Sequence, residues 1–236
     1  MDQANKKDLI ITKVNEVYAR IDAEKHVIRE ASEYFTFFVP GHQFVPAFRN
    51  KIWNGKIRLF NLQTNQLYLG LIPYLKEFCE ERDYTFEYSD PRPDLTDDYS
   101  EYLADKFIKE LNVQSRGQDI DVRDYQKAAF VTAMRNRRGL FLSPTASGKS
   151  LIIYLLVRQF IGYKGCKKGL IVVPTTSLVE QLYNDFTDYS TGNVFDVAEN
   201  VHRIYQGKDK NTDMPVTIST WQSIYNQPAE YFEQFD

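Results

Sequence analysis

The segment Ser143-Pro144-Thr145-Ala146-Ser147-Gly148-Lys149-Ser150 constrains this chain more than any other. It lies between the apolar run Gly139-Leu140-Phe141-Leu142 and a second apolar run from Leu151 to Phe160, so a short extended segment enters it and a helix leaves it. Extended segment, glycine-containing turn and helix, in that order, make a phosphate-binding loop, because the first N–H groups of the helix converge on one point. Gly148 permits the tight curve, Lys149 can reach the β and γ phosphates, and the Ser150 hydroxyl can complete the coordination of Mg²⁺. The strict pattern has Gly where Ser143 stands, and a small residue keeps the turn. The expected ligand is a nucleoside triphosphate with Mg²⁺.

From residue 121 onward helical and extended patterns alternate. Helices are expected over 121–138, 148–161 and 177–189, and extended segments over 139–142, 169–173, 201–205 and 216–219. Alternation of that kind gives a parallel sheet with helices on its faces and ligands at the carboxyl ends of the strands.

The earlier residues read differently. Residues 15–21 alternate like a strand with Val17, Ala19 and Ile21 buried, and 27–38 reads as a helix. Two short strands surround the turn Trp53-Asn54-Gly55-Lys56, a helix covers 71–82, and 85–88 is extended. This is a small α+β domain over 1–92. Two prolines and a carboxylate cluster in Asp90-Pro91-Arg92-Pro93-Asp94-Leu95-Thr96-Asp97-Asp98 mark a boundary. An acidic connector with one short helix, residues 93–120, leads to the second domain over 121–236. Residues 91–120 hold 4 basic and 7 acidic groups, a net of 4 − 7 = −3.

No run approaches the roughly 18 apolar residues of a membrane span, and the first residues lack an apolar signal core, so a cytoplasmic location is expected. Cys79 and Cys166 fit no metal or redox spacing and read as two buried thiols. The formal charge of −3 argues against coating nucleic acid by bulk charge. Its distribution matters more: from Tyr34 to Lys76 there is no Asp or Glu, whereas Arg49, Lys51, Lys56, Arg58 and Lys76 are basic and interleaved with Phe44, Phe48, Trp53 and Phe60. That pattern suits phosphate contacts with base stacking, and equally a hairpin with an aromatic core and solvated charges.

Three further segments accompany the loop. Arg123-Asp124-Tyr125-Gln126 opens the preceding helix; the Gln126 amide can both donate and accept, as the edge of adenine requires, although a glutamine on a helix is more often simply solvated. Pro174-Thr175-Thr176-Ser177 opens a helix after a strand, with hydroxyls and free N–H groups that can hold a nucleic-acid phosphate or merely cap the helix. Ile218-Ser219-Thr220-Trp221-Gln222 repeats that arrangement.

The order of these motifs resembles the first RecA-like motor domain of superfamily 2 helicases. Over nearly the whole chain the sequence is similar to the UvsW-type helicases of T-even bacteriophages, through Leu142-Ser143-Pro144-Thr145, Val172-Val173-Pro174-Thr175-Thr176, Thr220-Trp221-Gln222, Phe44-Val45-Pro46-Ala47-Phe48-Arg49 and Trp53-Asn54-Gly55-Lys56-Ile57-Arg58-Leu59. The resemblance implies Gln126 and Arg123 at adenine, Thr145, Ala146, Ser147, Gly148, Lys149 and Ser150 around the phosphates of ATP, and Pro174, Thr175, Thr176 and Thr220 on the DNA backbone. It also tips Arg49, Lys51, Lys56 and Arg58 toward DNA binding. Ala146 departs from the glycine usual in these loops, a change that looks harmless by size.

Hydrolysis in this class also needs an acidic Walker B pair and arginines from a second RecA-like domain. Neither is visible, since Tyr231-Phe232-Glu233-Gln234-Phe235-Asp236 lacks the strand that a Walker B acid would end. The expectation is therefore the N-terminal portion of an ATP-dependent DNA helicase acting on branched recombination or replication DNA, inactive alone and completed by a C-terminal part or a second polypeptide. Two other readings stay open: a stand-alone DNA-binding module with a vestigial nucleotide site, and a small-molecule kinase, for which no phosphoacceptor machinery is seen.

Overall fold

The computed structural model describes residues 7–15, 17–89, 98–136, 138–163, 166–205 and 207–236. The chain divides into two units, Met1–Leu95 and Thr96–Asp236. The proline- and acid-rich boundary segment lies, but for Asp98, outside the described residues.

In the first unit, period-two alternation builds the sheet. β1 (Leu9–Lys13) and β2 (Tyr18–Ala23) pair antiparallel through a turn in which the Asn15 carboxamide oxygen accepts from the N–H groups of Val17 and Tyr18, both at 2.8 Å. Leu9, Ile11, Ala19 and Ile21 all point inward and are fully buried. Val17 lies in the turn rather than on the strand and is 49% exposed, contrary to the alternation read from the sequence. α1 (Lys25–Tyr34) follows, then β3 (Thr36–Phe38), α2 (Pro46–Arg49), β4 (Lys56–Arg58), β5 (Phe60–Asn61), β6 (Gln66–Tyr68), α3 (Ile72–Glu81) and β7 (Phe86–Tyr88). The strand order is β5-β6-β2-β1-β7, with only β7 parallel to its neighbour. Val27 and Ala31 of α1 and Leu75, Phe78 and Cys79 of α3 close the core over the sheet.

Two local expectations fail here. The helix expected over 27–38 ends at Tyr34, because Thr36-Phe37-Phe38 is β-prone and pairs with Lys56–Arg58. The first of the two strands expected around residue 53 is helical instead, since Pro46 stands at the first position of α2, where its fixed φ favours a helix. Gly55 does adopt the left-handed conformation, φ 77°, and its carbonyl accepts from Val39 at 2.9 Å.

In the second unit α4 (Glu101–Leu111) is capped by Ser100, whose hydroxyl accepts from the Leu103 N–H at 3.2 Å. Its buried Ala104, Phe107 and Leu111 belong to the main core of this unit, so the helix is structural and not merely connecting. The hairpin β8 (Gln114–Ser115) and β9 (Gln118–Asp119) leads to α5 (Asp124–Asn136) and α6 (Lys149–Arg158), the latter running into a π-helical turn at Gln159–Tyr163. Then come β10 (Gly169–Val173), α7 (Thr176–Tyr189), α8 (Val197–Asn200), β11 (Val201–Ile204), β12 (Val216–Thr220), α9 (Trp221–Ile224) and α10 (Ala229–Phe232).

The three long strands are parallel in the order β10-β12-β11. β12 is central and buried along its whole length, as a parallel strand covered on both faces should be. Phe130, Met134, Tyr154, Leu155 and Phe186 fill the core beneath. The Arg203 guanidinium pairs with Glu180 at 2.6 Å and lies over the Tyr183 ring at 3.9 Å, fastening β11 to α7. The extended run expected at 139–142 forms no strand: Leu140 and Leu142 are 85% and 91% exposed. Among the described residues no strand lies beside it, so its backbone has no ladder to join, and β10 remains a sheet edge. No helix among them is long and apolar enough to cross a membrane.

Candidate nucleotide and nucleic-acid sites

Gly148 caps α6 in the left-handed conformation, φ 77°, which brings the unpartnered first N–H groups of the helix, at Lys149 and Ser150, under the curve of the loop. Ala146 is also left-handed, φ 63°, so the loop bends twice within three residues. The hydroxyls of Ser143 and Ser147 are hydrogen-bonded across the loop, which gives the serine at the usual glycine position a role in closing it. The Lys149 ammonium donates to the carbonyls of Pro144 at 2.7 Å and Ser143 at 3.2 Å and is exposed. It therefore stays inside the loop that an anion would enter.

The Ser150 hydroxyl is hydrogen-bonded to the Tyr189 phenol at 3.0 Å, and burial raises the pKa of that phenol. Ser150 thus faces α7 as well as the loop. This donor set fits a Mg²⁺-bound triphosphate: helix N–H groups, an ammonium and a hydroxyl, around a glycine that leaves no Cβ in the way.

Gln126 is 5% exposed. Its amide donates to the Ser147 carbonyl at 3.1 Å while its oxygen accepts from the Arg123 N–H at 3.0 Å. The Tyr125 hydroxyl donates to the same carbonyl at 3.0 Å, and the Arg123 guanidinium donates to Tyr125 at 3.0 Å. The start of α5 is thereby fastened to the loop. Arg123 is exposed, whereas Gln126 is engaged at both ends of its amide.

A second site lies at the carboxyl ends of the parallel strands. A cleft of about 650 Å³ is lined by Pro174, Thr175 and Thr176 after β10, by Tyr205, Gly207, Lys208 and Lys210 after β11, and by Thr220 at the end of β12 with Gln222 and Ser223 beyond it. Thr175 is the N-cap of α7, its hydroxyl accepting from the Leu178 N–H at 3.4 Å. Thr220 is only 3% exposed, and its hydroxyl is bonded to Ser223 at 2.8 Å. Ser223 is therefore the more accessible of the two.

In the first unit Arg49, Lys51 and Arg58 are exposed and Lys56 half-buried. Lys56 lies 4.8 Å from the centre of the Phe38 ring, and Arg49 donates to the Gln43 carbonyl at 3.4 Å. None of the four forms an ion pair among the described residues.

The family described as DNA helicase UvsW, N-terminal, matches residues 10–89, and that of the Type III restriction enzyme res subunit matches residues 119–236. The ATP-dependent DNA helicase uvsW of Enterobacteria phage T4 is 37% identical over 224 residues, covering 92% of this chain and 43% of that protein. A crystal structure of the UvsW helicase from bacteriophage T4 superposes with a TM-score of 0.83 at 33% identity, over 97% of this chain and 80% of that one. A second crystal structure of T4 UvsW gives 0.84 at 33% identity, over 97% of this chain and 46% of that one. The chain belongs to the UvsW helicase family. It spans less than half the length of the curated UvsW relative that it matches.

The fold of this UvsW-family chain is accordingly a RecA-like α/β unit preceded by a smaller α+β unit. Several polar groups at its two RecA-unit sites were not apparent from the sequence. Lys208 and Lys210 alternate with Asp209, which hides them as a basic pair. Tyr189 is distant in sequence and meets Ser150 only through the packing of α6 on α7. Tyr125 carried a usable signal, because it stands within the Arg123-to-Gln126 segment already singled out.

Proposed function

We propose that this chain carries the ATP-binding and DNA-engaging N-terminal parts of an ATP-dependent helicase that, in complete form, remodels branched recombination or replication DNA. The observation that carries this reading is the combination, on one parallel sheet unit, of the loop closed by Gly148 and Lys149 with a hydroxyl- and lysine-lined cleft at the strand ends. ATP with Mg²⁺ is held by Thr145 to Ser150, with Lys149 exchanging its loop carbonyls for phosphate oxygens and Ser150 turning to the cation. Arg123 and Gln126 lie toward the adenine, and Gln126 reads its edge by exchanging one of its two internal hydrogen bonds. Pro174, Thr175, Thr176 and Thr220, together with Lys208 and Lys210, hold the DNA backbone, and Arg49, Lys51, Lys56 and Arg58 form a second DNA contact.

Turnover additionally requires carboxylates that position water and arginines that stabilise the transferred charge, supplied by a C-terminal part or a second polypeptide. The 236-residue chain therefore binds a fluorescent ATP analogue in the presence of Mg²⁺, loses that binding on Lys149→Ala, and releases no phosphate above background. Phosphate release at ordinary enzyme rates, abolished by Lys149→Ala, would overturn the requirement for a completing part. DNA affinity indifferent to both nucleotide and Lys149 would instead favour a stand-alone DNA-binding module.

A further inference from the structure

The first unit carries a feature that phosphate binding does not explain. Phe44 and Ile52 are 70% and 80% exposed, on either side of α2 in the segment between β3 and β4. Large apolar side chains so exposed cost free energy in water unless something covers them in use. The segment bearing them is not loose. The His42 ring stacks on Phe38 with centroids 4.9 Å apart and meets Phe48 edge-on at 4.8 Å. The His42 ring nitrogen Nδ1 is hydrogen-bonded to the Val39 carbonyl at 2.8 Å, and a Cβ on Gly55 would fall 2.5 Å from the same ring. The N–H groups of Ile52 and Trp53 both donate to the Ala47 carbonyl, at 2.9 and 3.1 Å, and the Trp53 indole donates to the Lys56 carbonyl at 2.9 Å.

Cations flank these two side chains along the chain. Arg49 reaches back to the carbonyl of Gln43, the residue before Phe44, and Lys51 precedes Ile52 in a left-handed conformation, φ 58°. With Lys56 and Arg58 this makes four cations, none of them neutralised by a carboxylate among the described residues, in a stretch without any Asp or Glu from Tyr34 to Lys76. Unneutralised cations beside exposed apolar groups call for an anionic partner with apolar faces, and the DNA-binding reading of this unit selects nucleic acid among such partners. The faces of nucleic acid are open only where bases are unstacked.

We propose that Phe44 and Ile52 form an apolar tip that covers bases exposed where the strands of a DNA duplex part, while Arg49, Lys51, Lys56 and Arg58 hold the flanking phosphates. The inference rests on the reading that the first unit binds DNA, and goes beyond it by assigning preference for a branch to two uncharged side chains. The cations give affinity for any DNA, and the tip adds affinity only where a base face is free.

The test uses the 236-residue chain with a three-way junction carrying 2-aminopurine at the branch point, and a continuous duplex of equal length carrying the same base. The expected result is tighter binding to the junction, by about tenfold for one covered base, with a change in 2-aminopurine emission at the branch alone. The double variant Phe44→Ala, Ile52→Ala loses that preference and that signal and keeps its duplex affinity, while Phe44→Tyr retains both. Combining Arg49→Ala, Lys51→Ala and Arg58→Ala weakens binding to both DNAs alike. Because Phe44 and Ile52 are solvent-exposed, the double variant keeps the wild-type circular dichroism spectrum and melting temperature. A wild-type chain that binds junction and duplex equally, or a folded double variant that keeps the preference or loses both DNAs alike, overturns the proposal and leaves DNA binding intact. A wild-type chain that binds neither DNA overturns the DNA-binding reading itself.

Discussion

The Gln126 side-chain nitrogen lies 2.2 Å from where a Cβ on Gly148 would be placed, and at the same time donates to the Ser147 carbonyl at 3.1 Å. Helix α5 and the phosphate-binding loop are therefore fitted to each other at one atom, and Gly148 is required there both for its φ of 77° and for the room its missing side chain leaves. Part of the harm done by Gly148→Ala is a clash with Gln126, which Gln126→Ala removes. A double-mutant cycle on thermal or denaturant unfolding should show Gly148→Ala costing less in the Gln126→Ala background, with a coupling energy above about 0.5 kcal/mol. Strict additivity would mean that the loop moves freely of α5.

Ala146 offers a gain of stability. Its left-handed backbone, φ 63°, costs a residue with a side chain about 1–2 kcal/mol, whereas glycine adopts that conformation freely. Glycine also gives the unfolded chain more freedom, which offsets about 0.4–1 kcal/mol of the relief. Ala146→Gly should therefore stabilise by up to about 1.6 kcal/mol and raise the melting temperature by a few degrees. A lower melting temperature would show that the loop relaxes around alanine without strain. Size alone made this position look harmless in the sequence; the cost lies in a backbone angle that composition does not reveal.

The same division runs through the whole molecule. Features set by local chemistry were legible: the helix after Gly148, the parallel strands at 169–173 and 216–220, and the convergence of Pro174 and Thr220 at the strand ends all follow from periodicity and from where ligands lie on parallel sheets. Features that depend on a neighbour were not. Leu140 and Leu142 have the composition of a strand and lack a partner, so they are exposed, and Lys56 to Arg58 pair with Thr36 to Phe38, not with the adjoining segment. Pairing partners are chosen by tertiary structure, which a single sequence records only indirectly.

Both cysteines read as buried thiols, yet only Cys79 is fully enclosed, while Cys166 is half-buried. Burial pushes the Cys79 thiol up to about 11, so at pH 8 almost none of it is thiolate. A Cys166→Ser variant, in which Cys79 is the remaining thiol, should not react with a chromogenic disulfide reagent at pH 8 until denaturant is added. Prompt reaction in the native protein would mean that the core around α3 opens readily.

Lys208 and Lys210 extend from the loop after β11 into the cleft that also holds Thr175, Thr176 and Ser223. Lys208 lies 5.7 Å from the centre of the Tyr205 ring, and the neighbouring Glu180 carboxylate of α7 raises the pKa of Tyr205. The Lys210 carbonyl, not its ammonium, accepts from Tyr231 at 3.1 Å, so removing the side chain leaves that link in place. Replacing both lysines with alanine should therefore spare the fold and act on phosphate binding alone. A protein that neutralises fewer phosphates releases fewer counterions, and the slope of log affinity against log salt concentration should become shallower by about 0.7 per lysine on single-stranded DNA. Measured between 50 and 200 mM salt, a weaker affinity with an unchanged slope would assign the lysines to something other than the DNA backbone. An unchanged affinity would remove the cleft from the DNA path, leaving the first unit as the site of binding.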